Sequence, residues 1–355
     1  MSPSLALAWQ NLPAAALQQN STLSADWDRL NTLRADLPFL SAEAIIAALE
    51  SFGTGKERLL VGRQGQVISA MFLLVRNSTA EWQSFQPSQL PLGAWVADPG
   101  LPVLDLARSL IRRPLGFCLL LSITQIDPQH VARPGDTADS QSSDYIRTAW
   151  TELQGSFAEY WGQRGKNLRQ NMRKQRNRLA AEGISGRMRV LDQAPDMAAA
   201  IERYGALESA GWKAGRGTAI HPDNAQGKFY RRLLEGAAQR GEAVVFEYLF
   251  DDRVVASNLC LRRQEALVIL KTTYDESIQS YSPAFLLSQD EIEGLYHEGR
   301  IRRIEYYGRM MEWHSRWTEE SRVLYHLTLY RWPLLRQLAE WRRRRQKPSD
   351  NPPGG

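Results

Sequence analysis

Between Ala266 and Gly299 the chain sets polar side chains and a helix start where a phosphorylated ligand would need them. Lys271-Thr-Thr-Tyr274 closes an apolar run, Ala266 to Leu270, of the kind a strand covered on both faces requires. The loop Asp275 to Tyr281 follows. Ser282 and Pro283 then read as the N-cap and first residue of a helix whose Phe285, Ile292, Leu295 and Tyr296 share a face before Gly299 stops it. Free backbone N–H groups in that first turn, aligned with the helix dipole, favour a phosphate or pyrophosphate over water. An anion cradle is the first functional expectation.

The surrounding elements must hold that cradle in place. Ala243 to Phe250 and Arg253 to Arg263 are apolar-rich runs separated by Asp251-Asp252, so they predict a hairpin leading into the Ala266 strand. Upstream, a short strand at Arg187 to Asp192 precedes helices at about Pro195 to Gly211 and Asn224 to Gly241. Downstream, Arg300 to Tyr307 and Arg322 to Arg331 read as strands. The first half has its own αβ pattern: helices near Ala25 to Arg34, Ser41 to Phe52 and Val103 to Arg112, with strands at Arg58 to Val61, Gln66 to Arg76 and Gly116 to Thr124. It shows no second phosphate loop. Asp127 to Ser143, rich in Pro, Gly, Ser and Asp, is the expected linker.

The order β, α, α, β, β, β, α, β, β resembles the GNAT superfamily of acyl-CoA-dependent transferases. Their pyrophosphate loop reads Arg/Gln-x-x-Gly-x-Gly/Ala; here Gln279-Ser-Tyr-Ser282-Pro-Ala284 keeps the first and last positions and has Ser282 in place of the central glycine. A closer resemblance is to CelD-like cellulose-biosynthesis proteins, distantly similar to the Fem peptidoglycan aminoacyltransferases. It is carried by the basic helix Asn167 to Leu179, Leu207-Glu-Ser-Ala-Gly-Trp-Lys213, Tyr274-Asp275 with Tyr281-Ser-Pro283 and Leu286-Leu287, and Ile304-Glu-Tyr-Tyr-Gly308. Many relatives have an aspartate before an aromatic-Leu-x-Gly turn and a later Tyr-Lys, where this chain has Glu305 and then Glu312-Trp313-His314.

The resemblance implies an α/β fold of tandem GNAT-like domains, with mixed, mostly antiparallel sheets flanked by helices. A degenerate copy would occupy residues 1–135 and the acyltransferase residues 144–332, with a helix and basic tail at 333–355. It also implies acetyl-CoA or another acyl-CoA as co-substrate, no metal, and a small-molecule or glycan-precursor acceptor. Donor contacts fall on Lys271, Thr272, Thr273, Gln279, Ser280, Tyr281, Ser282, Ala284 and Phe285, and acceptor contacts on Glu208, Trp212, Lys213, Trp313 and His314. Glu305 is the expected base, because a carboxylate half-buried among Tyr306 and Tyr307 has its pKa raised; a salt bridge to Arg302 or Arg303 is the competing reading. Tyr307 and Tyr274 are candidates to protonate the leaving thiolate. Transfer from aminoacyl-tRNA, or a scaffold without catalysis, remains as an alternative.

Composition bounds the rest. The 355 residues allow two modest domains, and the formal charge is +5. Cys118 and Cys260 each sit in an apolar strand candidate, which predicts buried free thiols. The five histidines show no ligand spacing, and Gly53-Thr-Gly-Lys56 lacks the spacing of a P-loop, so metal and nucleotide-hydrolase readings are set aside. No secretory signal or membrane span is apparent, and a cytoplasmic location is expected. Two basic segments stand out. Lys166, Arg169, Arg173 and Arg176 share a side of a helix whose Leu168, Met172 and Leu179 face inward, either a solvated face or a contact for an anionic partner. Pro333 starts a helix with Leu334, Leu335, Leu338 and Trp341 on one side and Arg342 to Arg345 at its end. That apolar side either packs on the domain or rests on an anionic membrane face.

Overall fold

A computed structural model describes residues 7–210 and 220–346. The first half comprises β1 (Ala8–Pro13), α1 (Ala16–Gln19), α2 (Ser21–Arg34), α3 (Ala42–Phe52), β2 (Arg58–Gln64), β3 (Val67–Ser78), β4 (Glu81–Ser84), β5 (Trp95–Ala97), α4 (Val103–Arg112) and β6 (Leu120–Ile126). The second half follows with β7 (Ser140–Glu152), α5 (Phe157–Gln163), α6 (Lys166–Ala181), β8 (Gly186–Leu191), α7 (Ala194–Ala210), α8 (Ala225–Gln239), β9 (Ala243–Phe250), β10 (Arg253–Arg263), β11 (Ala266–Tyr274), α9 (Pro283–Glu298), β12 (Arg303–Glu305), β13 (Ser321–Tyr330) and α10 (Pro333–Gln346).

The strands join into one mixed sheet in the order β1-β2-β3-β4-β6-β13-β7-β12-β11-β10-β9-β8, with β5 beside β3. Among the described residues, only β4 with β6 and β11 with β12 run parallel. Each of these pairs follows a run of antiparallel strands and is bridged by a helix, α4 in the first half and α9 in the second. The fold is α/β and GNAT-like, a large mixed sheet with helices on its faces. The two halves are interlocked: β13, from the end of the second half, pairs with β6 of the first, while β7 lies between β13 and β12.

Apolar periodicity explains the two covered faces. Every residue of β9 is buried, as a strand sandwiched between helices requires. On one face Trp27 of α2, Ile45 of α3, Tyr204 of α7 and Phe229 of α8 join Phe39, from the turn before α3, in a core with Leu259 and Val268. On the other, α5, α6 and α9 bury Tyr160, Met172, Leu286, Leu287 and Ile292 with Tyr248, Ile304 and Trp317. A third cluster seats Leu106 and Leu110 of α4 on Phe72 and Tyr325. Polar caps fix several helix starts: Asn224 Oδ1 accepts from Gly227 N at 2.9 Å, and Ser156 with Glu159 forms a capping box.

Three expectations change. The Pro/Gly/Ser-rich linker is tied down, because Asp127 is buried against Arg322 and Arg108 holds Asp139, and its end is already strand β7. The strand expected at Arg300 to Tyr307 shortens to β12, since the chain turns away through Tyr307 at a φ of 50°. On the apolar side of α10 Leu334 and Leu338 are exposed and Leu335 is half-buried, while Arg336 faces inward and bonds Ser140 O at 2.7 Å.

Candidate active site

The parallel contact of β11 with β12 lasts three pairs, Ala266 with Arg303, Leu267 with Ile304 and Val268 with Glu305. Beyond it β11 runs on to Tyr274, paired only with β10, and β12 ends. Where the strands part, the structure holds a cleft of about 560 Å³, within the range of small-molecule sites. Thr272, Thr273 and Tyr274 line it from β11, Gln279, Ser282, Pro283, Ala284, Phe285 and Ser288 from the corner and α9, and Glu208 from α7. Met311, Trp313 and Trp317, from the segment after β12, close it with apolar surface.

The corner differs in detail from a helix end with several free amides. Ser282 takes the left-handed conformation, φ 54° and ψ 48°, at the position where the GNAT pattern has its central glycine. Glycine enters that region without cost, whereas an L side chain costs roughly 1–2 kcal/mol there. The Ser282 carbonyl accepts from both Phe285 N at 3.0 Å and Leu286 N at 3.1 Å, and Pro283 has no N–H to give. The helix therefore offers one free backbone donor in its first turn, Ala284 N–H, among the described residues. Asn171 Nδ2 donates to Ser282 Oγ at 3.3 Å, which ties basic α6 to the corner.

Two buried carboxylates flank the cleft. Glu208 accepts from Ile220 N at 2.8 Å and pairs with Lys271 Nζ at 3.2 Å, and Lys271 lies near the Tyr204 and Tyr230 rings. Glu291 was not anticipated. It is buried on α9, with Asn258 Nδ2 donating to its Oε2 at 2.6 Å, while its Oε1 and Asn258 Oδ1 have no partner. Both residues line a cavity of about 20 Å³ that shares Thr272, Ser288 and Trp313 with the cleft. That volume suits one water, which would donate to both orphaned acceptors. Burial carries the Glu291 carboxyl up to about 7 against the pull of the Asn258 hydrogen bond. The sequence held a signal for it. Leu287, Glu291 and Leu295 fall at four-residue spacing on the buried stripe of α9, and Asn258 interrupts the apolar run of β10.

Several expected residues lie elsewhere. Glu305 does not line the cleft: Arg322 Nη2 reaches its Oε2 at 2.8 Å and Arg303 Nε its Oε1 at 2.6 Å, so the carboxylate belongs to a buried ionic cluster with Asp127. Burial pushes its pKa up, with Arg322 and Arg303 opposing. Tyr307 is buried on Phe39 at 5.1 Å between ring centres, and burial drives its pKa far up. Neither lines the cleft. His314 is stacked on Trp313 and its Nδ1 accepts from Met311 N at 2.9 Å; burial lowers its pKa to about 4, so it is neutral near pH 7. Lys271 turns to Glu208, and Tyr281 donates to Glu182 Oε2 at 2.7 Å beneath Arg178. Ser280 is exposed on the loop and does not line the cleft. Trp212 and Lys213 lie outside the described residues.

The basic helix divides as well. Arg176 pairs with Asp290 and Arg178 with Glu182. Lys166, Arg169, Arg173 and Lys174 instead line an open groove of about 770 Å³ with Trp161, Gln170 and Asn177. Among the described residues, no three His, Cys, Asp or Glu side chains gather as a metal ion would need.

Residues 166–315 match the family described as acetyltransferase (GNAT) domain. That stretch, under half of the chain, is GNAT-like and supports an acyltransferase. The match begins at α6 and ends at Ser315, so it contains both the Ser282 corner and the divergence of β11 from β12. Among solved structures, the chain is similar to the C-terminal domain (DUF2156) of a candidate lysylphosphatidylglycerol synthetase from Agrobacterium fabrum. That alignment has a TM-score of 0.54 at 14% identity and covers 90% of this chain and 94% of the other. A conserved protein of unknown function from Bacteroides thetaiotaomicron aligns at a TM-score of 0.51 and 9% identity, covering 86% and 96%. These are likenesses of fold. No curated protein matches the chain's sequence.

Proposed function

We propose that this GNAT domain transfers an acyl group from acyl-CoA, acetyl-CoA in the simplest case, to an amine or hydroxyl of a polysaccharide or cell-envelope precursor, as a member of the CelD-like branch. The observation that carries the reading is the cleft at the parting of β11 and β12, with the Ser282 corner at its rim and an ion-paired carboxylate, Glu208, in its wall. The diphosphate takes the Ala284 N–H with the Ser282 and Gln279 side chains. The pantetheine arm follows the backbone of β11 beyond Val268, which β12 no longer pairs. Glu208 orients the acceptor.

The acceptor's nitrogen or oxygen attacks the thioester carbon, the C–S bond breaks, and the acceptor's proton passes to the Glu291 carboxylate through a water of the size that the cavity beside Asn258 would admit. Glu291 then returns it to the thiolate. A base with a pKa of about 7 is matched to such work near neutral pH. Titration calorimetry with acetyl-CoA tests the donor, and Ala284→Phe should abolish the heat of binding. Mass spectrometry of surface polysaccharide from a deletion strain tests the acceptor: a missing acyl group is expected, and an unchanged polymer refutes that substrate class.

A second reading, transfer from aminoacyl-tRNA, is favoured by the groove of Lys166, Arg169, Arg173 and Lys174 beside Trp161. RNA binding that weakens steeply with added salt, with no heat from acetyl-CoA, would select it.

A further inference from the structure

Helix α6 uses its cations in two ways. Arg176 and Arg178 are matched to Asp290 and Glu182. Lys166, Arg169, Arg173 and Lys174 are exposed along the open groove of about 770 Å³, and among the described residues nothing acidic lines it. From Lys166 to Asn177 this stripe runs roughly 16 Å, about three turns of helix, with one or two cations on each turn. Like charges three and four residues apart cost a helix stability. The fold gains nothing from the arrangement, whereas an anion laid along it would. Arg169 is braced at the groove by its Nε, which donates to Arg164 O at 3.1 Å. The groove also adjoins the cleft: Trp161 in its wall and Trp317 in the cleft wall have ring centres 6.2 Å apart, and Phe285 of the cleft lies 5.9 Å beyond Trp317.

We infer that this groove binds an acidic polysaccharide, its charges supplied by sugar carboxylates, and leads it past Trp161 and Trp317 to the cleft as the acceptor. The inference deepens the acyl-transfer reading and rests on it for the reaction, but not for the binding. Three features select the ligand. Cations repeating at a pitch of about 5 Å along one helix face match a polymer with a single charge per unit, and a lone coenzyme A phosphate would leave most of them unmet. Gln170 and Asn177 stand between the cations with amides that both give and take hydrogen bonds, as sugar hydroxyls do. Trp161 is the one aromatic ring in the lining among the described residues. It offers apolar surface to a sugar ring, whereas single-stranded RNA is held on a succession of aromatic side chains.

The test is titration calorimetry of the full chain, free of acetyl-CoA, with a galacturonate oligomer, a neutral glucose oligomer of the same length and an RNA oligomer of similar charge. The galacturonate oligomer should bind and the neutral one should not. With four cations each releasing about 0.7 of a counterion, its affinity should fall with salt at a log–log slope on the order of −3. The combined Lys166→Gln, Arg173→Gln and Lys174→Gln variant changes only exposed side chains, so it should keep the wild-type circular dichroism and the wild-type heat with acetyl-CoA. Its galacturonate binding should be about a hundredfold weaker at ~0.1 M salt, with a slope on the order of −1. Four results would overturn the inference: no galacturonate binding or equal binding of the neutral oligomer; a variant with wild-type affinity and slope; loss of acetyl-CoA binding in the variant, which gives the groove to the donor; or tighter binding of RNA that the same variant loses. Galacturonate binding by a chain that gives no heat with acetyl-CoA would support the groove and refute the acyl-transfer reading instead.

Discussion

Replacing Glu291 by glutamine should reverse the usual effect of a core substitution and stabilise the protein, only at the alkaline end of its range. The carboxyl is buried, holds one hydrogen bond from Asn258 and leaves Oε1 unpartnered. Its pKa rises from 4.5 to about 7 on folding. A raised carboxyl pKa means that the native chain binds a proton the unfolded chain has released. The associated stability is fully present below about pH 4.5 and lost as pH rises through about 7. At ~1.4 kcal/mol per tenfold change in proton affinity, ionised Glu291 costs the native state about 3 kcal/mol. Its neighbours do not confuse the measurement: burial moves the Cys260 thiol and the Tyr306 hydroxyl far up and the nearby His314 imidazole down to about 4. Urea unfolding of wild type and Glu291→Gln, followed by tryptophan fluorescence at about pH 5 and about pH 8, should give a stability difference that grows by about 2.5 kcal/mol in the variant's favour. A difference that stays constant with pH would refute the assignment of a strained, titrating carboxylate.

On the acyl-transfer reading, the same variant should lower kcat by about 10²–10⁴-fold and lose the rise of kcat/KM through pH about 7 while acetyl-CoA still binds; an unchanged pH profile would remove Glu291 from the reaction. Ser282→Gly should raise stability by up to about 1 kcal/mol in denaturant unfolding, because glycine adopts the left-handed corner freely; a loss of that size would mean the serine side chain holds the corner. Arg322→Met leaves Asp127 and Glu305 buried without their shared cation and should cost about 3–5 kcal/mol, read as a lower urea midpoint. Neither cysteine should react with a thiol reagent at pH about 8 until the chain is unfolded, since burial lifts Cys118 to about 11 and pushes Cys260 well above the usual thiol value.

The second half was legible because its signals are periodic. The bounds of β9 and β10 coincide with the apolar runs read from sequence, and Ser282, Pro283 and Gly299 mark both ends of α9. What stayed hidden depended on partners distant in sequence. Strand β7 begins Ser-Gln-Ser-Ser-Asp and carries no apolar alternation there; pairing with β13 makes it a strand. Arg302 and Arg303 were visible partners for Glu305, but Arg322, which holds it together with Asp127 from the first half, was not. The corner was legible as a turn and helix start, whereas the loss of two of its donors to the Ser282 carbonyl follows from backbone geometry alone. α10 was legible as an amphipathic helix. Its orientation was set by Arg336 reaching Ser140 and Asp136, contacts about two hundred residues back in the chain, which no local pattern encodes.

The account rests on coenzyme A lying between β11 and β12 with its diphosphate at the Ser282 corner. A crystal structure of the chain with coenzyme A tests this most directly. A diphosphate oxygen should lie within hydrogen-bond distance of the Ala284 N–H, with the pantetheine arm running past Thr272 toward Glu208 and Ser288. Coenzyme A bound only in the groove of Arg169 and Arg173, with the cleft closed by Phe285 and Trp317, would contradict it.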